Sequence, residues 1–178
     1  MNNNLLIIGA GGHGQVVQDI ASAMNQFEKI DFLDDNSSLA IGKCDNFNEY
    51  INEYSYAFVA IGNNEQRKVW SSRLIAAGFK LPVLIHPTSY KSPLAKVGIG
   101  SVICAKAVIN TNAIIENGCI ISIGALVDHD SLISEYSHIN SGAIIKAGCI
   151  VENLKKVEAG MVFTNKRELE EHKLEVGV

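Results

Sequence analysis

The sequence has no surplus of basic charge, no long apolar run and no paired cysteines, and each absence closes a class of function. Fifteen Lys and Arg stand against 19 Asp and Glu, a formal net charge of −4. Binding nucleic acid needs a basic face to meet phosphate, so nucleic acid is not the expected partner. No segment approaches the roughly 20 apolar residues that span a bilayer, so no membrane partner is expected. The opening MNNNLLIIG lacks a basic flank and its apolar run stops at Ile8, which argues against a secretory leader. Cys44, Cys104, Cys119 and Cys149 form no C-x-x-C pair, so neither a metal site nor a disulfide framework is expected. A reduced cytoplasm fits these absences. What the chain does have is apolar material, 47% against 19% charged over 178 residues, enough for one or two packed domains.

Two periods divide that material. Residues 1–86 alternate strand and helix patterns. LLIIG, KIDFLDD and YAFVAIGNN read as strands, and LPVLIHP as a possible fourth. GQVVQDIASAMNQF reads as a helix, as does EQRKVWSSRLIAAGF, which stops at Gly78. Such alternation implies a parallel sheet. From Val97 to Val157 every sixth residue is Val or Ile, eleven times in succession. Aliphatic residues make up only about a quarter of an average chain, so the run is not chance. A small residue (Ala95, Ser101, Ala107, Ala113, Cys119, Ala125, Ser131, Ser137, Ala143, Cys149) sits two places before most of them. Glycine recurs three places after, at Gly100, Gly118, Gly124, Gly142, Gly148 and Gly160.

A six-residue period marks a parallel β-helix. Positions two apart on a strand share a face, so the aliphatic and the small residue both point inward. Glycine and asparagine fall where the chain turns a corner. Three hexads make one triangular coil, stacked about 4.8 Å from the next.

Two polar stretches interrupt this frame. Gly9–Gly14, GAGGHG, matches G-x-G-x-x-G between a strand and a helix. Its backbone amides at a helix N-terminus can approach a pyrophosphate, and Asp34 and Asp35, roughly 20 residues on, stand where a ribose hydroxyl is held. The unit is nevertheless too short for two mononucleotide-binding halves, and NAD(P) is the lesser reading. His13 is either a ligand to sugar or phosphate or a histidine on an exposed turn. The second stretch, VDHDSLISEYSH, puts His129 near a corner between Asp128 and Asp130, and His138 half a coil later at an outward position.

Together IIGAGGHG, FLDD, AIGNNEQR and the tandem hexads resemble the sialic acid O-acetyltransferase (NeuD) family of sugar acetyltransferases, which includes bacterial N-acetyltransferases of nucleotide-linked amino sugars (PglD-like). The resemblance runs to about Thr164. It implies a Rossmann-like domain at 1–86, a left-handed β-helix of hexapeptide repeats at 87–164 and a short charged helix or tail at 165–178. The handedness comes from the resemblance alone, since right-handed crossovers are the general rule. It also implies acetyl-CoA as co-substrate, a sugar or nucleotide-sugar acceptor, direct transfer of the acetyl group and a homotrimer. By the same resemblance His129 is the general base, steadied by Asp130; some relatives carry Glu there, so the match is one of type. His138, Gly142, Ala143, Gly148 and Gly160 would serve acetyl-CoA. Gly9, Gly11, Gly12, His13, Gly14, Asp34, Asp35, Gly62, Asn63 and Asn64 would surround the sugar nucleotide. Because His129 and His138 lie on different parts of one coil, they meet only if prisms pack side by side.

The end of the chain departs from the family. Relatives add further coils there and a G-x-P-A segment, whereas in VENLKKVEAG the hexads falter, with Leu154 and Lys155 in glycine and small-residue slots. The expectation is a shortened surface for coenzyme A, which keeps a non-catalytic trimeric scaffold that binds nucleotide sugars as a competing reading; a third, an NAD(P)-binding protein, rests on the glycine loop alone.

Overall fold

The computed structural model describes residues 2–165. The first unit is a parallel sheet of β1 (Asn4–Ile8), β2 (Lys29–Leu33), β3 (Ala40–Gly42) and β4 (Tyr56–Val59), in the order β3-β2-β1-β4. Helix α1 (Gly12–Ala23) links β1 to β2, and α2 (Asn64–Ala77) follows β4. Leu5, Leu6, Ile7 and Ile8 are each fully buried, because a central parallel strand is covered on both faces. The Asn63 side chain caps α2 by accepting from the Gln66 amide at 3.0 Å, and Gly78, at φ +99°, ends it. The short β3 and the 3-10 segment Cys44–Tyr50 escape a pattern reading, being too brief to show a period.

The second unit is a left-handed β-helix of two-residue strands, repeating every six residues from Leu84–Ile85 to Val162–Phe163. Each strand pairs in parallel with the one 18 residues on, as in Val102↔Ile120↔His138↔Lys156, which is three hexads per coil. Three sheets form the faces of a prism. The first face starts at Leu84–Ile85, the second at Tyr90–Lys91 and the third at Lys96–Val97. Ile103, Ile109, Ile121, Val127, Ile133, Ile139, Ile145 and Val151 fill its interior at 0% exposure, with Ala107, Ala113, Cys119, Ala125, Ala143 and Cys149 as the small partners. Each buried aliphatic contributes about 1.5–3 kcal/mol. Ser101, Ser131 and Ser137 take the small slot by donating their hydroxyls to the carbonyls of Glu116, Lys146 and Glu152.

At the corners every sixth residue from Gly100 to Gly160 has a φ between +56° and +69°. Six are glycine; Lys106, Asn112, Asp130, Tyr136 and Leu154 accept the same left-handed turn, at a cost of roughly 1–2 kcal/mol for an ordinary side chain.

Two expectations change. LPVLIHP is not a strand of the first sheet: Leu84–Ile85 pairs with Val102–Ile103 as the first rung of the prism. The hexad pattern hides this rung because Lys91 fills the next aliphatic slot, donating its ammonium to the Ser92 and Ala95 carbonyls. The hexads also do not falter geometrically at VENLKKVEAG, since Leu154 takes a φ of +62° and strand pairing continues to Phe163. The predicted C-terminal helix falls almost wholly in 166–178, outside the described residues.

The two units share one core. Leu5, Ile7, Val17, Ile20 and Phe58 pack against the outward side chains of the first face, Leu84, Val102 and Ile120. On the far side of the sheet, Leu6, Ile8 and Leu33 pack with Phe47, Tyr54, Leu74 and Phe79.

Candidate active site

The glycine-rich loop is set by close packing. A Cβ at Gly14 would overlap the Gly9 carbonyl oxygen, so the helix can start this near the strand only with glycine there. Asp34 braces the loop from the side: one carboxylate oxygen accepts from the Ala10 amide at 2.8 Å, the other from the Asn36 and Ser37 amides. These amides hold the Asp34 carboxyl below its usual range. Asp35 accepts from the Cys44 amide at 3.0 Å. Both aspartates are thus engaged in shaping the loop and the turn beside it. The first turn of α1 carries no side-chain cap, which leaves its amides as candidate donors for an anion. Asn63 is the cap of α2, and Asn64 donates to the Leu154 carbonyl at 2.8 Å.

A cavity of about 330 Å³ lies between α1 and the prism, lined by His13, Val16 and Ile20 on one side and by His86, Ser122 and Ser141 on the other. The Nε2 of His13 is buried with no partner among the described residues. The Ser122 hydroxyl is 2.9 Å from Nε2 of His138, whose Nδ1 is likewise buried and unpartnered. Burial, with the positive charge of Arg67, pushes both imidazoles down to about 4, so both are neutral at neutral pH.

Along the edge between the first and second faces, Gly124, Gly142 and Gly160 stack one coil apart, and a side-chain carbon on any of them would meet nothing within 4 Å. Their amides are spent on the corner ladder: Gly142 donates to Ile123 and Gly160 to Ser141. Ala143 is buried inside the prism, and Gly148 stands on the next edge, donating to the His129 carbonyl. The structure therefore gathers His13, His138, Gly142 and Gly160 around the first face and its edge, and sets Gly148 apart.

His129 and Asp130 occupy the edge between the second and third faces, both half-exposed, with Nδ1 2.7 Å from an Asp130 oxygen. A carboxylate only accepts, so Nδ1 carries a proton. Asn112, one coil earlier, donates to the other Asp130 oxygen at 3.0 Å. Asn110 in the same way holds Asp128, which accepts from the His129 amide at 2.7 Å. The His129 pair and the Asn112 amide keep the Asp130 carboxyl below its usual range. Ser122, Asn110 and Asn112 escape a reading by hexads; the signal for the two asparagines is the 18-residue spacing of one coil, Asn110–Asp128 and Asn112–Asp130, whereas Ser122 and His138 stand 16 apart, two short of a coil. Among the described residues no group of three or more His, Cys, Asp or Glu could hold a metal ion, and no helix is long and apolar enough to cross a membrane.

Known proteins agree with this construction. Residues 4–74 match the family described as the PglD N-terminal domain. UDP-N-acetylbacillosamine N-acetyltransferase of Bacillus subtilis (strain 168) is 31% identical over 111 residues, 57% of this chain and 51% of that protein, so the match spans about half its length. The acetyltransferase domain of PglB from Neisseria gonorrhoeae FA1090, solved in complex with acetyl coenzyme A, is 37% identical. That likeness covers 93% of this chain and 84% of the domain, with a TM-score of 0.88. A perosamine N-acetyltransferase from Caulobacter crescentus, in complex with CoA and GDP-perosamine, shares the fold at 24% identity and a TM-score of 0.77, over 92% of this chain and 89% of its own. By sequence along nearly its whole described length, and by fold, the chain belongs to the PglD-like family of sugar acetyltransferases.

Proposed function

We propose that this protein transfers the acetyl group of acetyl-CoA to an amine of a nucleotide-linked amino sugar, a step in building bacterial surface glycans. The observation that carries the reading is the His129–Asp130 pair, an imidazole with its Nδ1–H held by a braced carboxylate. The acceptor nitrogen attacks the thioester carbonyl, and Nε2 of His129 takes the proton that this nitrogen sheds. As the tetrahedral intermediate collapses, the C–S bond breaks and the imidazolium returns the proton to the thiolate of coenzyme A. Asp130 fixes the tautomer and steadies the imidazolium. A covalent enzyme intermediate is disfavoured: Cys104 and Cys119 are buried, and burial pushes their thiols up to about 11 and about 12. Gly142 and Gly160 offer an open strip for the pantetheine arm beside His138, with Ala143 behind it inside the prism, while Gly148 stands apart on the edge that carries His129. The uncapped start of α1, in the loop of Gly9, Gly11, Gly12, His13 and Gly14, takes the phosphates of the sugar nucleotide, with Asp34, Asp35 and the Gly62–Asn64 turn shaping that pocket. The engagement of Asp34 with the Ala10 amide weighs against its holding the ribose of NAD(P).

The assembly is proposed as a cytoplasmic homotrimer. His129 and the cavity lie on opposite edges of the second face, which carries an exposed apolar ladder that includes Tyr90, Leu126 and Val162. Packing that face against a second prism covers the ladder and brings the two edges into one site.

The test is release of free thiol from acetyl-CoA against UDP-, dTDP- and GDP-linked 4-amino sugars, with sialic acids as hydroxyl acceptors, for the native chain and His129→Ala. Turnover on an amino sugar, lowered at least about 100-fold by the substitution, is the expected result. Nucleotide-sugar binding without turnover on any acceptor establishes a scaffold instead.

A further inference from the structure

Arg67 has a burial that the proposed reaction does not account for. It is 1% exposed, the largest of the fully buried side chains. Among the described residues its five hydrogen bonds all go to neutral oxygens: Nε to the Gly118 carbonyl at 2.7 Å, Nη1 to Ile61 at 3.0 Å and Gly62 at 3.3 Å, Nη2 to the Asn64 side chain and the Tyr136 carbonyl, both at 2.8 Å. Burying a cation costs several kcal/mol even after relaxation, and a carboxylate partner is the usual remedy. Among the described residues there is none, so the positive charge is left to act on its surroundings.

We propose that Arg67 is a positioning residue of the acetyl-transfer site: it locks the Gly62–Asn64 turn to the prism and leaves an uncancelled positive charge acting on His13 and His138. The mechanical half rests on the corner between the third and first faces. Gly118, Tyr136 and Leu154 stack there one coil apart, each with positive φ. Arg67 takes the carbonyls of the first two and Asn64 that of the third, so two side chains of one helical turn grip three successive coils. The turn and the start of α2 therefore cannot move relative to the prism without breaking these bonds together.

The electrostatic half concerns the cavity. His138 faces Arg67, His13 and Lys156, all of which disfavour its protonation, against Glu158, which favours it. His13 faces Arg67, with Asp19 and His86 lining the same cavity. The guanidinium keeps its charge across the working pH range, so its effect is constant. A neutral ring presents one N–H and one lone pair; a protonated ring presents two donors and no acceptor. Burial is the larger cause at both histidines and Arg67 adds to it, so that together they keep the acceptor nitrogen available as pH falls.

This rests on the reading of His13 and His138 as parts of the site, and the experiment separates the two ideas because it does not depend on turnover. The imidazoles of His13 and His138 are titrated by NMR in the full chain and in Arg67→Met, Arg67→Lys and Asn64→Asp. The last places a carboxylate on the guanidinium with almost no change of shape and keeps the test alive if Arg67→Met does not fold. Both histidines titrate near 4 in the native chain; Arg67→Met and Asn64→Asp raise both by on the order of one pH unit, while Arg67→Lys leaves them low and raises KM for the acceptor through the loosened turn. The proposal is overturned if His13 and His138 titrate at the same pH in the native chain and in the folded charge-removing variants, whether or not the chain proves to transfer acetyl groups.

Discussion

Gly118 and Gly124 occupy equivalent corners with φ of +67° and +66°, yet alanine should be tolerated at one and not at the other. At Gly124 an added Cβ meets nothing within 4 Å, so Gly124→Ala costs only the left-handed strain. That strain is about 1–2 kcal/mol, offset by the roughly 0.4–1 kcal/mol gained from a stiffer unfolded chain. The net loss is about 1 kcal/mol. At Gly118 the same Cβ overlaps two carbons of the Tyr136 ring. Tyr136 cannot easily retreat: it is 8% exposed, itself left-handed at φ +56°, and its carbonyl is held by Arg67. Overpacking a fixed core adds about 1–3 kcal/mol, so Gly118→Ala should lose about 2–4 kcal/mol.

Urea denaturation at a fixed protein concentration measures both, since an assembling chain has a concentration-dependent midpoint. A cycle with Tyr136→Ala isolates the clash: removing the ring should shrink the cost of Gly118→Ala to that of Gly124→Ala. Equal losses at the two glycines in the native background would refute the argument, because backbone strain alone would then explain both.

Two further outcomes follow from the placement of the histidines. If each site joins His129 of one prism to His138 of another, a one-to-one mixture of His129→Ala and His138→Ala chains, reassembled from denaturant, regains about a quarter of native turnover, the chance that both contributors are intact; no recovery in mixed trimers places the whole site in one chain. His13 and His138 also make stability depend on pH. Their folded values near 4 lie below the ordinary 6.5, so the unfolded state binds more protons between these limits. Their contribution is full above about 6.5 and is lost as pH falls toward 4, with a slope of up to about 1.4 kcal/mol per pH unit for each. The depressed Asp34, Asp128 and Asp130 contribute above 3.8 and lose that share only as pH falls further. Urea midpoints at pH 7.5 and 5.0 should therefore differ, and His13→Gln with His138→Gln should flatten the difference.

How legible the molecule is in its sequence depends on how local each feature is. The prism interior repeats every hexad, so Ile103 through Val151 announce themselves, and one coil of 18 residues follows by multiplication. Lys91 defeats that reading because its slot is filled by a chain whose charged end turns back to the Ser92 and Ala95 carbonyls, which no composition rule separates from a surface lysine. Arg67 is harder still. In NNEQRKVW it looks like one more polar residue of a helix face, and only the folded chain brings Gly118 and Tyr136, 51 and 69 residues away, to its guanidinium. The His129–Asp130 pair was visible as letters but not as geometry, and Asn112, which braces it, belongs to the coil before.

That geometry follows from the corner itself. On a strand, neighbouring side chains point to opposite faces, so a histidine and the next residue do not ordinarily meet. The left-handed turn at Asp130, φ +58°, reverses the chain between them and swings both side chains to one side, which permits a 2.7 Å contact between adjacent residues. Aspartate is among the few residues other than glycine that enter this conformation readily. The corner slot that glycine fills elsewhere on the prism therefore admits a carboxylate at little cost, in the one place where it lies against the preceding imidazole. The hexad repeat that builds the frame also supplies the turn that pairs His129 with Asp130.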